Sequence, residues 1–135
     1  MKRILGLCFF ALLFTTGCTS AREHAIAIVK DGNTKDYASD FKGALESYSE
    51  AIKTDPTYAP AWFFRGNTRF NLKDVEGAIS DYTKALELNP VFTDAYANRG
   101  DANFSLNRRD AACKDYRKAE QLGKENMYEK TKWCR

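Results

Sequence analysis

A ten-residue phrase recurs three times along the chain at a constant spacing, and no other feature limits the possible folds as much. The three versions are GALESYSEAI from Gly43, GAISDYTKAL from Gly77 and AACKDYRKAE from Ala111, which is a 34-residue period. A period of this size indicates a stack of similar supersecondary units, each burying its apolar face against its neighbours. An active site has no need of three copies, so the repetition favours a structural or binding role.

Each copy is predicted to contain two helices. In the second copy the apolar residues fall at i, i+3, i+4 and i+7, which is one stripe of a helix. Residues 61–72 form another helical segment before it. Asp40 and Asp74 stand where the N-caps of the second helices are expected. Pro56 and Pro90 mark the helix ends, because the residue before a proline is disfavoured in the helical region.

Three glycines occupy one column of the aligned copies, in the middle of the first helix. A glycine inside a helix costs roughly 0.5–1 kcal/mol relative to alanine, so its recurrence needs a compensating reason. We expect a neighbour to approach the backbone too closely for a methyl group, and the tyrosine ring of the following helix is the obvious one. The glycines are Gly32, Gly66 and Gly100, and the tyrosines are Tyr48, Tyr82 and Tyr116.

These columns are similar to those of the tetratricopeptide repeat family, which has a 34-residue period and two antiparallel helices per unit. The similarity extends over residues 25–124 and includes the glycines, an Ala–Tyr–Ala pattern in the second helix, and the terminal prolines. Trp62 and Tyr96 match the bulky residue of the family's first helix. The resemblance implies an all-α fold, a right-handed superhelix of three helical hairpins whose first helices line a concave face.

The repeats are predicted at 25–58, 59–92 and 93–126. A terminal repeat needs a capping element with a polar outer face. Residues 125–135 are therefore expected to form a C-terminal capping helix that overlaps the end of the third repeat.

Residues 1–17 differ in composition from the repeats. Lys2 and Arg3 precede eleven uncharged residues, 4–14, and the small-residue sequence TTGC follows. A basic start, a short apolar run and small residues are typical of a secretory signal, and eleven residues are too few to span a bilayer as a helix, which takes about 20. Residues 1–17 are therefore interpreted as a signal peptide that is cleaved from the mature chain.

The end of this segment resembles the lipobox of bacterial lipoproteins, in which the cysteine is acylated and becomes the first mature residue. The resemblance implies lipidation of Cys18 and a short tether over residues 18–24. Thr15 departs from the leucine that is usual in the motif. Thr19 is not the aspartate that favours inner-membrane retention, so the expected location is the outer membrane, facing the periplasm. The alternative is an ordinary export signal and a soluble periplasmic or secreted protein.

The charge of the mature chain excludes one class of partner. Removal of Lys2 and Arg3 takes the number of Lys and Arg from 21 to 19, against 18 Asp and Glu, so the net charge falls from +3 to about +1. A nearly neutral domain lacks the positive field that draws proteins to nucleic acid. No nucleic-acid partner is expected.

The sequence offers few residues for catalysis. It has a single histidine, His24, and no Cys/His cluster at zinc spacing or Gly-rich phosphate loop. We therefore expect no enzymatic activity, no catalytic or metal-binding residues and no cofactor. One column holds Arg65 and Arg99, and another holds Asp81 and Asp115, whereas the first copy has Asp31 and Ser47 at these positions. The base and its matching acid are absent together, which predicts structural ion pairs between the two helices of each later copy.

Cys113 and Cys134 are the two cysteines that remain after the signal and the lipidation site. Cys113 occupies an inward-facing column, and an antiparallel capping helix would bring Cys134 back towards it. An exported protein is in a compartment that permits disulfides. These two residues are therefore a disulfide candidate, and two unpaired apolar cysteines are the alternative.

The concave face is the expected binding site. Aromatic rings alternating with Asn and Asp suit an extended peptide, because rings offer pockets for side chains and amides bind a peptide backbone. The alternative is that these rings pack against neighbouring helices and the groove is merely solvated. The groove residues predicted by the resemblance are Asn33, Tyr37, Phe63, Asn67, Phe70, Asn71, Asp101 and Phe104, with Val29, Asp36, Ala97 and Ser105 on the same face.

The family's best-known peptide site is a clamp for two carboxylates that depends on Lys and Arg along these helices. Here the corresponding positions include Val29, Phe63, Ala97 and Asn98, and only Asn33 is retained. Binding of a C-terminal carboxylate is therefore not expected.

Together these features predict a lipid-anchored adaptor that binds a protein or peptide. Its resemblance to repeat-containing lipoproteins such as pilotins implies a role in assembly of a bacterial envelope complex. Two alternatives remain at this point. One is a hydrolase, or an accessory subunit of an envelope enzyme, whose conserved acids would line a pocket. The other is a structural oligomerisation module, whose exposed apolar patch would lie at one end of the repeats.

Overall fold

The computed structural model describes residues 8–132 and 134, with side chains from Ser20 onward. Within this part of the chain the secondary structure is entirely helical, which confirms the predicted all-α class. The helices are α1 (Cys8–Tyr37), α2 (Phe41–Thr54), α3 (Ala59–Asn71), α4 (Val75–Leu88), α5 (Thr93–Ser105), α6 (Arg109–Gln121) and α7 (Tyr128–Thr131).

The first six helices form three hairpins stacked one upon the next. Helix α1 pairs with α2, α3 with α4, and α5 with α6, while α2 contacts α3 and α4 contacts α5 between copies. Helices α1 and α3 also touch, as do α3 and α5. The first helices of the hairpins therefore lie side by side and form one face of the stack, which is the concave face.

The predicted caps fix where the second helices begin and end. The carboxylates of Asp40 and Asp74 accept hydrogen bonds from the amides of Gly43 and Gly77, at 3.0 and 3.1 Å. The backbone leaves the helical region at Asp55 and at Asn89, immediately before each proline.

The turn inside each hairpin contains a residue with positive φ, which the repeat pattern did not predict. Ser39, Lys73 and Asn107, which occupy one column of the aligned copies, have positive φ values of 62°, 69° and 59°. The left-handed conformation ends the first helix abruptly and reverses the chain. Only Asn107 is a residue type enriched in this conformation, so the signal is weak in the other two copies.

The glycine column does meet the tyrosine column, as predicted. A Cβ atom built on Gly66 would lie 2.8 Å from Cε1 of Tyr82, and the equivalent distances are 2.6 Å at Gly32 and 2.5 Å at Gly100. The three facing tyrosines are almost completely buried. A methyl group at any of the glycines would force the ring or the helix to move, so the close approach of the two helices requires glycine.

The segment before the first repeat is not a free tether. Residues 18–24, predicted as a short tether, are helical and continue into the first repeat within α1. Arg22 forms an ion pair with Asp55 at the end of α2, donates to the hydroxyl of Thr57 at 2.9 Å, and lies over the ring of Tyr58. This second attachment to the first hairpin explains why the segment does not leave the helix.

The basic start of the predicted signal peptide, Lys2 and Arg3, lies outside the described residues, as does the side chain of Cys18. None of the helices in the described part of the chain is both long enough and apolar enough to span a membrane.

The predicted capping helix over 125–135 is wrong in its extent. Gly123 and Asn126 both have positive φ, 89° and 60°, so the chain turns twice after α6 and a helix can begin only at Tyr128. Helix α7 is a single turn. It still covers the end of the stack, because Met127 is buried in the cluster formed by the third hairpin.

Cys113 of α6 and Cys134 are joined by a disulfide, with Cα atoms 5.3 Å apart. Arg117, one turn further along α6, donates to the carbonyl of Cys134. The C-terminal segment is thus fixed to the third hairpin at both Met127 and Cys134.

Gly66→Ala is expected to destabilise the protein by roughly 1–3 kcal/mol through overpacking against Tyr82, although alanine is the better helix former by about 1 kcal/mol. Urea denaturation measures the change. Ser80→Ala, at an exposed position of α4, is the control and should be neutral or slightly stabilising. If the ring is the cause, Gly66→Ala should cost less in a Tyr82→Leu background. An equal cost in both backgrounds would contradict this explanation.

Replacing both cysteines, Cys113→Ser with Cys134→Ser, is expected to release the C-terminal segment. A loop closed between these positions contributes about 3 kcal/mol on the chain-entropy model. Limited proteolysis should then cleave after residue 121 while leaving residues 25–121 intact. Reductant should have the same effect on the wild type and none on the double variant. Two free thiols in the wild type, detected by non-reducing peptide mapping, would contradict the prediction.

Candidate functional site

The concave face contains an open groove of about 350 Å³ at the second and third repeats. Four of the residues predicted for the binding groove line it, together with three others. The lining residues are Asp36, Asn67, Phe70, Asn71, Tyr82, Asn98 and Asp101. We call this feature the concave groove.

Asn67 is at the centre of the polar contacts in the groove. Its Oδ1 accepts a hydrogen bond from the hydroxyl of Tyr82 and another from Nδ2 of Asn98, both at 2.8 Å. These two contacts fix the orientation of the amide, so Nδ2 of Asn67 is available to donate to a ligand. Oδ1 of Asn98 is an acceptor without a partner in the described structure. A peptide backbone has one donor and one acceptor per residue and can use both.

The residue after the glycine accepts a hydrogen bond from the facing tyrosine in every copy. Asn33 accepts from Tyr48 at 2.7 Å, and Asp101 accepts from Tyr116 at 2.8 Å, as Asn67 does from Tyr82. Sequence reasoning assigned this column to the groove and missed its structural bond. The repeated column itself, Asn–Asn–Asp, was the available signal.

Burial raises the pKa of the phenol of each of these tyrosines above its ordinary value. The hydroxyl, which is protonated at neutral pH even in a free tyrosine, therefore remains a donor to the Asn or Asp at alkaline pH as well. This keeps the polar side chains of the groove in one orientation.

A lysine from the C-terminal turn reaches the edge of the groove. Nζ of Lys130 lies 2.6 Å from both carboxylate oxygens of Asp101 and 5.3 Å from the centre of the Tyr116 ring. Nothing in the sequence signalled this contact, because Lys130 lies outside the repeat columns. Asp36, by contrast, has a hydrogen bond from Thr68 at 3.3 Å and no ion pair in the described structure.

Phe63 does not belong to the groove. Only 8% of it is exposed, and its ring packs against those of Phe64, Tyr82 and Phe92, the last at 4.7 Å between centroids. The prediction of a ligand-contacting ring is wrong at this position, because the chain between the second and third hairpins folds over it. Val29 and Ala97, on the same predicted face, are also buried.

Three further predicted groove residues lie away from the lining. Tyr37, at the end of α1, is 93% exposed, and the side chain of Asn33 is bonded to Tyr48. Phe104 is 55% exposed and borders a separate cavity of about 300 Å³ beside the disulfide, with Arg109, Tyr116 and Lys130. The structure thus gathers Asn67, Phe70, Asn71 and Asp101 at one site and separates the others from it.

The predicted Arg–Asp pairs are confirmed as structural contacts. Asp81 is buried, and its carboxylate accepts from Arg65 at 2.8 and 2.9 Å and lies 3.0 Å from Arg69. The Arg99–Asp115 pair has the same bidentate geometry, and its charge-assisted bonds raise the pKa of Arg99. Such geometry satisfies the buried carboxylates, so these acids are not free for catalysis.

The same arginines also connect neighbouring copies. Arg65 donates to Ser49 of the first repeat at 3.2 Å, and Arg99 donates to Thr83 of the second at 3.1 Å. Ser49 and Thr83 again occupy equivalent positions in successive copies, a column that sequence reasoning missed.

The first copy replaces the arginine pair with a different contact. Lys35 and Ser47 both bond to Asp31, and these bonds lower the pKa of its carboxyl. Lys35 and Asp31 are partly exposed, Ser47 is buried, and none of the three lines the groove.

The described residues contain no group of His, Cys, Asp and Glu that could hold a metal ion. The groove instead has amides, two carboxylates, a phenol and one partly exposed phenylalanine ring. These groups can bind and orient a chain, and they define an α-helical repeat module of the protein-interaction class.

Family comparison identifies the repeat type. Two tetratricopeptide repeat models match the chain, at residues 59–92 and 93–126. The chain belongs to the tetratricopeptide repeat family. No curated protein sequence matches it significantly.

Solved structures with the same fold include three tetratricopeptide domains. The first domain of Spaghetti (RPAP3), bound to the HSP90 peptide SRMEEVD, is 27% identical with a TM-score of 0.77, and the match covers 81% of this chain and 88% of that one. The first domain of human RPAP3 is 26% identical with a TM-score of 0.77, and the match covers 83% of this chain and 90% of that one. The Arabidopsis OM64 domain is 26% identical with a TM-score of 0.78, and the match covers 84% of this chain and 95% of that one.

Proposed function

We propose that this protein is a non-enzymatic adaptor that binds an extended segment of a partner protein in the concave groove. The observation that carries the proposal is the hydrogen-bonded pair of amides, Asn67 and Asn98, which both line the cavity and retain one donor and one acceptor outside the bond between them. Phe70 supplies an apolar contact beside them. An amide pair of this kind can bond to a peptide backbone irrespective of its sequence.

The structural comparisons support this use of the groove. The RPAP3 domain, which is similar over most of the chain, is bound to an HSP90 peptide. Apart from Tyr82 of α4, the groove of the present protein is lined by the first helices of successive hairpins, the elements that line the concave face of the repeat. Peptide binding on this face is therefore the function that its geometry and its family favour together.

We further propose that the adaptor is exported and anchored by a lipid on Cys18, at the periplasmic face of the outer membrane, where it takes part in assembly of an envelope complex. The basic start, the apolar run and the Gly17–Cys18 junction support the anchor. The Cys113–Cys134 disulfide is consistent with an oxidising compartment.

A photo-crosslinking amino acid at Asn71 tests the groove. Asn71 is an exposed residue of the lining, so a bound partner should form a discrete adduct there. The same amino acid at Ser80, exposed on α4 and away from the groove, is the matched control. A separate variant without the crosslinker, Asn71→Trp, fills the groove without adding charge. It should lower recovery of the same partner at least about tenfold, the loss expected when central contacts of an interface are blocked. Equal adducts at both positions would contradict groove binding.

Cys18→Ser tests the anchor. The variant is expected to lose membrane retention and to accumulate as unprocessed precursor, as followed by membrane fractionation and intact mass. Cys8→Ser, within the predicted signal, should leave processing and retention unchanged. A wild type that is cleaved and recovered wholly in the soluble fraction would rule out the lipid.

A further inference from the structure

The carboxylates of the concave groove set its charge preference. Asp36 and Asp101 line the groove, and none of the seven lining residues is Lys or Arg. The remaining lining side chains are amides, a phenol and a phenyl ring. The lining residues themselves therefore carry acids and no base.

Lys130 shows how a cation is held at this face. Its ammonium lies within 2.6 Å of both oxygens of Asp101 and above the ring of Tyr116, which combines an ion pair with a cation–π contact. The lysine is on α7, the short turn at the end of the chain, and it is partly exposed. Asp101 can thus hold an ammonium group at the edge of the groove.

Asp36 is the second carboxylate of the groove. It lines the same groove from the end of α1, and in the described structure it has only the weak hydrogen bond from Thr68. A carboxylate in a groove without a nearby cation is energetically better off when a ligand supplies one. Asp36 can thus accept a cation from a ligand, whereas Asp101 is already paired with Lys130.

We propose that the segment bound in the concave groove is cationic, with Lys or Arg side chains that pair with Asp36 and Asp101, and that Lys130 competes for the second position. The inference rests on the peptide-binding function proposed above and adds the chemistry of the partner. It is the reverse of the acidic peptide SRMEEVD bound by the RPAP3 domain. Such pairs determine which partner is chosen more than how tightly it binds.

A random heptapeptide library displayed on phage tests the proposal with the oxidised protein of residues 18–135. Selected peptides should be enriched in Lys and Arg and depleted in Asp and Glu relative to the unselected library. Enrichment of acidic peptides would overturn the charge inference while retaining groove binding. Failure to select any sequence above background would overturn both.

Three variants then separate the individual contributions, measured by fluorescence anisotropy with one selected basic peptide. Asp36→Asn should weaken binding about 3- to 10-fold and reduce its dependence on salt. Asp101→Asn should also weaken it, while keeping the bond to Tyr116, because asparagine already makes that bond in the other two copies. Lys130→Gln should strengthen binding about 2- to 5-fold by removing the competitor.

Asp110→Asn, an exposed acid at the start of α6 outside the groove, is the control and should leave the affinity unchanged. Equal weakening by Asp110→Asn and Asp36→Asn would mean that net charge, not the groove, controls binding, and would overturn the proposal. Unchanged or weaker binding by Lys130→Gln would overturn the role of Lys130 as a competitor.

Discussion

The contact between a helix backbone and a tyrosine ring is the constraint on which this structure depends. In each hairpin the glycine lets the ring lie against the first helix, and the phenol then reaches the residue that follows the glycine. A shift of one residue along either helix would break both contacts at once. The hairpin register is therefore fixed, and with it the direction in which Asn67 and Asp101 face the groove.

The features that recur in two or three copies were predictable from the sequence, because a repeated contact leaves a repeated residue. The glycine–tyrosine packing, the aspartate caps and the Arg–Asp pairs all belong to this class. The positive-φ turns recur as well, but they constrain the backbone more than the residue type, so Ser39 and Lys73 gave little indication of them. The sequence period therefore predicts side-chain contacts better than it predicts backbone conformation.

The features outside the period were not predictable in the same way. Phe63 lies on the face that the family assigns to the groove, and only the path of the chain around Phe92 shows that its ring is covered. The two turns after α6 shorten the final helix, and Asn126 alone did not indicate the second of them. Lys130 depends on both turns, since its contact with Asp101 joins distant parts of the chain and has no counterpart in the other copies. Asn67 and Asp101 were thus predicted from their shared column, whereas Lys130 was missed because it comes from the end of the chain.

The two ends of the stack are held in different ways, and this gives the molecule a direction of unfolding. At the C-terminus a covalent bond joins the last segment to α6, whereas the first hairpin has the exposed Lys35–Asp31 contact where later copies have a bidentate arginine pair. Exposed ion pairs are screened by salt, and a linear array separates unit by unit from its weaker end. Tension or high ionic strength should therefore open the first hairpin before the third. The groove, which lies chiefly on the second and third repeats, would be the last surface to lose its shape.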